Sequence, residues 1–133
     1  MLRKKVDAYT LTEILVVLVI IGILVFLVVP NLLPLITKAK TTEAKVQLEH
    51  VQTLEKNYFY EHSKYSKDLT EIGFIQEPLT TNNGRANYQI TITNVSNAGF
   101  TATATAVVDF NGNGTFNVWQ IDQDKNLKEV TPD

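Results

Sequence analysis

Residues 4–30 read KKVDAYTLTEILVVLVIIGILVFLVVP, and this stretch decides the architecture. From Ile14 to Val29 there is no charged residue in sixteen consecutive positions. With Tyr9, Thr10 and Leu11 before it and Leu32, Leu33, Leu35 and Ile36 after it, a helix of about 28 residues would reach ~42 Å, enough to cross a bilayer core of ~30 Å. A secretory signal would have a shorter apolar region followed by a small-x-small site, whereas Val29 is followed by Pro-Asn-Leu-Leu-Pro. A core helix of a soluble domain would show a polar face, and this run has none. A membrane span is the expectation.

The rest of the 133 residues is more polar than the average composition implies. Formal charge is −2; Arg3, Lys4 and Lys5 against Asp7 leave −4 on the chain from Tyr9 onward. A mildly acidic domain in which Arg85 is the one arginine lacks the clustered cations that bind phosphates, so no nucleic-acid partner is expected. With no cysteine there is neither a disulfide nor a thiolate metal site. Basic residues flank the span on both sides, Arg3, Lys4 and Lys5 before it and Lys38, Lys40 and Lys45 after it. The inside-positive rule weighs short flanks, and a long domain translocates regardless of its charge. Residues 1–8 are therefore expected in the cytoplasm and residues 37–133 outside.

Glu13 stands at the mouth of the apolar run, and an ionisable group there needs a partner. No Lys, Arg or His lies between Val6 and Thr37. One reading is a carboxyl that stays protonated or a carboxylate that snorkels to the interface, where it also suits the positive end of the helix dipole. The other is a carboxylate that meets a cation from elsewhere.

The stretch AYTLTEILVVLVIIGILVFLVVP resembles the processing and assembly segment of type IV pilins and type II secretion pseudopilins. The resemblance covers about the first 36 residues. It implies a basic leader, residues 1–8, removed by a prepilin peptidase between Ala8 and Tyr9, and methylation of the new amine on Tyr9. Glu13 then becomes the fifth mature residue, Gly22 the fourteenth and Pro30 the twenty-second. Ala8 stands where Gly is usual, Tyr9 where Phe is usual and Thr12 where an apolar residue is usual. The resemblance also supplies a cation, the Tyr9 α-amine of the same or a neighbouring chain, so Glu13 becomes a docking partner in a helical filament of identical subunits. Close opposite charges in a low dielectric attract strongly and reward one axial register. The implied partners are the prepilin peptidase, an inner-membrane assembly platform and the membrane itself. Gly22, Pro30 and Pro34 are expected to loosen or bend the helix, since each proline lacks an amide hydrogen for the carbonyl four residues earlier.

Beyond the span, TKAKTTEAKVQLEHVQTLEKNYFYEH continues as helix, with Ala44, Leu48, Val51, Tyr58 and His62 on one face and Glu55 interrupting it. Glu43, Lys45, Glu49 and Lys56 are expected toward solvent or neighbouring subunits. The aromatics Tyr58, Phe59, Tyr60 and Tyr65 are expected to form a core seam where helix meets loop. Tyr65, Leu69, Ile72 and Phe74 are expected to tack the following irregular segment down. NYQITITN and GFTATATAVV alternate apolar and polar residues with the period of half-buried strands, and TFNVWQID and LKEV complete an antiparallel set. The fold class is thus α+β, a pilin-like long helix against a small meander sheet, divided into a leader (1–8), a filament-core half (9–36) and a globular domain (37–133).

DFNGNG carries the one motif with chemistry. Asp109, Asn111, Asn113 and Gly114 fit the start of a calcium loop, with Asp122 or Asp124 as extra ligands, but Gln120 stands where the bidentate Glu would be. A hairpin turn explains the same residues. No cofactor other than calcium is suggested. His50 and His62, twelve residues apart on one helix, make neither a metal site nor a triad, so no catalytic function is expected. A second class of function remains beside the filament subunit: a minor pilin-like tip module capturing DNA or a secreted substrate. A third is a single-pass anchored domain that does not polymerise.

Overall fold

A computed structural model describes residues 8–133; the leader expected over residues 1–7 lies outside the described residues. The elements are α1 (Leu11–His62), a short 3-10 turn (Thr80–Asn82), β1 (Tyr88–Thr93), β2 (Thr101–Ala106), β3 (Val118–Asp122) and β4 (Lys128–Thr131). The chain divides into two compact units after Ile36.

In the first unit, the described side chains of α1 up to Ile36 form an exposed apolar surface. Leu11, Leu15, Leu18, Leu24, Phe26 and Leu35 are all more than half exposed. The helical conformation continues through Pro30 and Pro34. A helix this long and apolar is able to cross a membrane.

In the second unit, the remainder of α1 is amphipathic. Ala44, Leu48, Val51 and Tyr58 are buried at three- and four-residue steps, as the periodicity requires. Two members of that face exchange roles: Glu55 is completely buried, and His62, the last helical residue, is exposed with its ring stacked 4.1 Å from Tyr58. The sheet order is β1-β2-β3-β4, all antiparallel, each strand beside its sequence neighbour. On the inner face large side chains oppose alanines: Tyr88 faces Ala106, Ile90 faces Ala104, and Ile92 faces Ala102, which in turn faces Ile121. These residues form one core with the helix face and with Ile72, Phe74 and Phe100. The outer face is polar, with Gln89, Thr91, Thr93, Thr101, Thr103 and Thr105 in cross-strand register.

The edge of β1 is covered by a side chain. Gln76 accepts a hydrogen bond from the Ile90 N–H at 2.9 Å and donates to the Tyr88 carbonyl at 3.2 Å, so its carboxamide stands in for a neighbouring strand. Asn117, also completely buried, ties the far side: its Oδ1 accepts from the Tyr88 hydroxyl and the Trp119 indole N–H, both at 2.7 Å, and its amide donates to the Thr131 carbonyl.

Three side chains differ from the solvent-facing or core placement expected of them. Glu43 accepts from the Asn87 backbone N–H at 3.0 Å and from its amide at 2.9 Å, and Lys45 lies 4.7 Å over the Trp119 ring. Both border the packed stripe, where the sheet is wide enough to reach them. Tyr60 is 72% exposed and leaves the seam to Tyr58, Phe59, Tyr65 and Phe100.

Candidate functional site

Ala8 and Tyr9 lie outside helical structure and are exposed. Thr10 precedes the first helical residue, and two reciprocal bonds fix that start. The Glu13 N–H donates to Thr10 Oγ1, and Glu13 Oε2 accepts from the Thr10 N–H, each at 3.2 Å. This is a capping box, in which a Thr-x-x-Glu sequence satisfies two of the orphan amides at a helix start. Sequence reading placed Glu13 near the positive helix end and missed the back-bond, although the signal, Thr10 followed three residues later by Glu13, was legible. Both partners lie after the peptide bond joining Ala8 to Tyr9, so the cap does not depend on the preceding residues. Gly22 sits in the helix with open space around it.

The second candidate site is the loop between β2 and β3. The Asp109 carboxylate accepts the Gly112 N–H on Oδ1 at 2.9 Å and the Gly114 N–H on Oδ2. Asn111 Oδ1 accepts from the Asn113 N–H at 3.0 Å, and Asn113 Oδ1 accepts from the Thr115 N–H at 2.8 Å. Partial desolvation pushes the Asp109 carboxyl up, but the backbone amides of Gly114, Gly112, Asn111 and Asn113 outweigh it and hold the group below the ordinary carboxylate range. The side-chain oxygens of Asp109, Asn111 and Asn113 are thus each turned toward an amide hydrogen. Among the described residues no group of three or more His, Asp or Glu side chains is arranged to hold a metal ion. Asp122 is occupied elsewhere, accepting from Asp124 and Asn126 in the β3–β4 turn.

A third cluster was not foreseen. Glu55 Oε1 accepts from the Ser66 N–H at 3.2 Å while Oε2 is buried with no partner, and burial pushes this carboxyl up to about 7. Next to it, Glu71 accepts from the Ser66 hydroxyl at 2.6 Å and from the Tyr58 hydroxyl. Those bonds, Ser66 first, hold Glu71 below the ordinary carboxylate range, and the bond to Glu71 pushes the Tyr58 phenol up to about 12. The sequence marked Glu55 as an interruption of the helix face; its partners sit in an aperiodic loop that no periodicity argument reaches.

Residues 33–116 match the family model described as "Type IV minor pilin ComP, DNA uptake sequence receptor". Residues 3–29 match the one described as "Prokaryotic N-terminal methylation motif". The type IV major pilin protein PilA of Myxococcus xanthus (strain DK1622) is 39% identical over 69 residues, 52% of this chain and 31% of that protein. The matched stretch therefore spans under a third of the relative's length.

Proposed function

Because the chain belongs to the type IV pilin family, we propose that it is a structural subunit of a type IV pilus or a type II secretion pseudopilus and not an enzyme. In this reading the precursor sits in the inner membrane with residues 1–8 in the cytoplasm. A prepilin peptidase cuts after Ala8, Tyr9 is N-methylated, and the mature chain polymerises with copies of itself on an assembly platform into a periplasmic or extracellular filament.

The observation that carries the reading is the isolation of Glu13. Its carboxylate is the one charged group on an uncovered apolar helix surface that runs from Leu11 to Ile36. An uncovered surface of that kind suits lipid first and neighbouring helices afterwards, and one charge on it supplies a register mark. Tyr9, exposed and just outside the helix, would place its new amine one turn from Glu13.

Two variants separate the cap from the charge. Glu13→Leu removes the charge and the back-bond to the Thr10 N–H, leaving only the bond from its own backbone N–H to Thr10 Oγ1. Glu13→Gln keeps a side chain able to bond back to the Thr10 N–H, since Gln serves the same capping box, but carries no charge. Both should insert normally and both should fail to enter filaments when expressed without wild type. Normal assembly of Glu13→Gln subunits would overturn charge-guided docking. Intact mass of the recovered protein should correspond to a chain starting at Tyr9, with or without one methyl; mass for the full precursor alone would remove the processing step.

A second reading, a minor subunit that captures DNA, is favoured by the description of the family model over residues 33–116. Charge weighs against it, because the chain from Tyr9 onward is net acidic. Retardation of duplex DNA by the purified protein, weakening steeply as salt is raised, would select it.

A further inference from the structure

Three Asn-Gly pairs occur in the chain, Asn83-Gly84, Asn111-Gly112 and Asn113-Gly114, and all three asparagines are exposed. An Asn-Gly pair is chemically labile. The glycine nitrogen gives up its proton and attacks Cγ of the preceding carboxamide; the new N–C bond closes a five-membered succinimide, the C–NH2 bond breaks, and ammonia leaves with the proton. Water then opens the ring to Asp or isoAsp. Glycine offers no side chain to hinder the closure.

We propose that Asn111 and Asn113 are latent deamidation sites that the Asp109 carboxylate holds closed. The nucleophile in each case is the nitrogen that donates to Asp109: Gly112 N to Oδ1 and Gly114 N to Oδ2. A carboxylate acceptor opposes loss of that proton, because the amide anion would form against a negative charge. Meanwhile the Asn111 and Asn113 carbonyl oxygens accept N–H bonds, which polarise Cγ toward attack. The electrophiles are primed and only the nucleophiles are guarded. The loop cannot avoid the labile pair by losing glycine, since Gly112 and Gly114 sit at φ +75° and +84°, a region that other residues rarely adopt. Asn83-Gly84 has a different guard, the Gly84 N–H donating to the Leu79 carbonyl at 2.8 Å, and serves as an internal control.

The test is peptide mapping of full-length protein in detergent after incubation at mildly alkaline pH, comparing wild type, Asp109→Ala and Asp109→Asn. In wild type all three sites should convert slowly. In Asp109→Ala, loss of a charge-assisted hydrogen bond should speed conversion at Asn111 and Asn113 by about tenfold or more, with Asn83 unchanged. Asp109→Asn keeps one acceptor oxygen of two and no charge, so both of the pair should accelerate, the one left without an acceptor more than the other. If Asn83 also accelerates in Asp109→Ala, the domain has opened and the split in Asp109→Asn decides. Wild-type rates at Asn111 and Asn113 in Asp109→Ala, or equal rates at both in Asp109→Asn, would overturn the proposal.

Discussion

Among single residues, Glu55 makes the strongest physical commitment. A carboxylate buried completely, with one oxygen unpartnered, is stable in the protonated form. Folding raises its affinity for a proton, so between pH about 4.5 and about 7 the native chain binds more protons than the unfolded chain. Stability therefore falls as pH rises through that window, by on the order of 1 to 3 kcal/mol. Glu71 has the opposite sign: its bonds to Ser66 and Tyr58 favour the ionised form, and that contribution is lost on acidification below the ordinary carboxylate range. Glu55→Gln, which mimics the protonated acid, should remove the fall between pH 5 and 7 in denaturant melts. A wild-type curve flat across that window would contradict the burial argument. The sequence announced that Glu55 was out of place but could not say why, because its partner Ser66 is fixed by the turn of the loop and not by helix spacing.

At the level of elements, the strands were readable because alternation has a period of two: Tyr88, Ile90, Ile92, Ala102 and Ala104 are all buried where the pattern puts them. Charged neighbours of the helix stripe were less readable. A helical wheel gives the angle of Glu43 and Lys45 but not the breadth of the sheet opposite, which decides whether they meet water or Asn87 and Trp119. Loop side chains that act as pieces of secondary structure leave no pattern at all, and Gln76 is the case in point. Replacing Gln76 by Ala should lower stability by about 1–2 kcal/mol, since the Ile90 N–H and the Tyr88 carbonyl lose a partner. It should also bare a strand edge, and concentration-dependent association by light scattering would report it. A variant as stable and as monomeric as wild type would mean that water or another loop group replaces the carboxamide.

For the whole molecule, the division after Ile36 separates an uncovered apolar segment from a unit with its own closed core. Residues 37–133 alone should be soluble and monomeric; persistent large oligomers would show that this unit carries its own self-association. Millimolar calcium should leave the melting temperature of this unit where a chelator leaves it, because the Asp109 oxygens are already turned to Gly112 and Gly114. An increase with calcium that Asp109→Ala abolishes would support the metal reading of the loop instead. The strand order has a kinetic consequence. Every strand pairs with its sequence neighbour, so three hairpins can zip with the closure of short loops only. The longest-range contacts join α1 to the sheet core and to residues flanking its strands, among them Glu43 to Asn87 and Gln52 to the Gln123 carbonyl. Bringing helix and sheet together therefore closes the longest loops and carries the larger entropic cost.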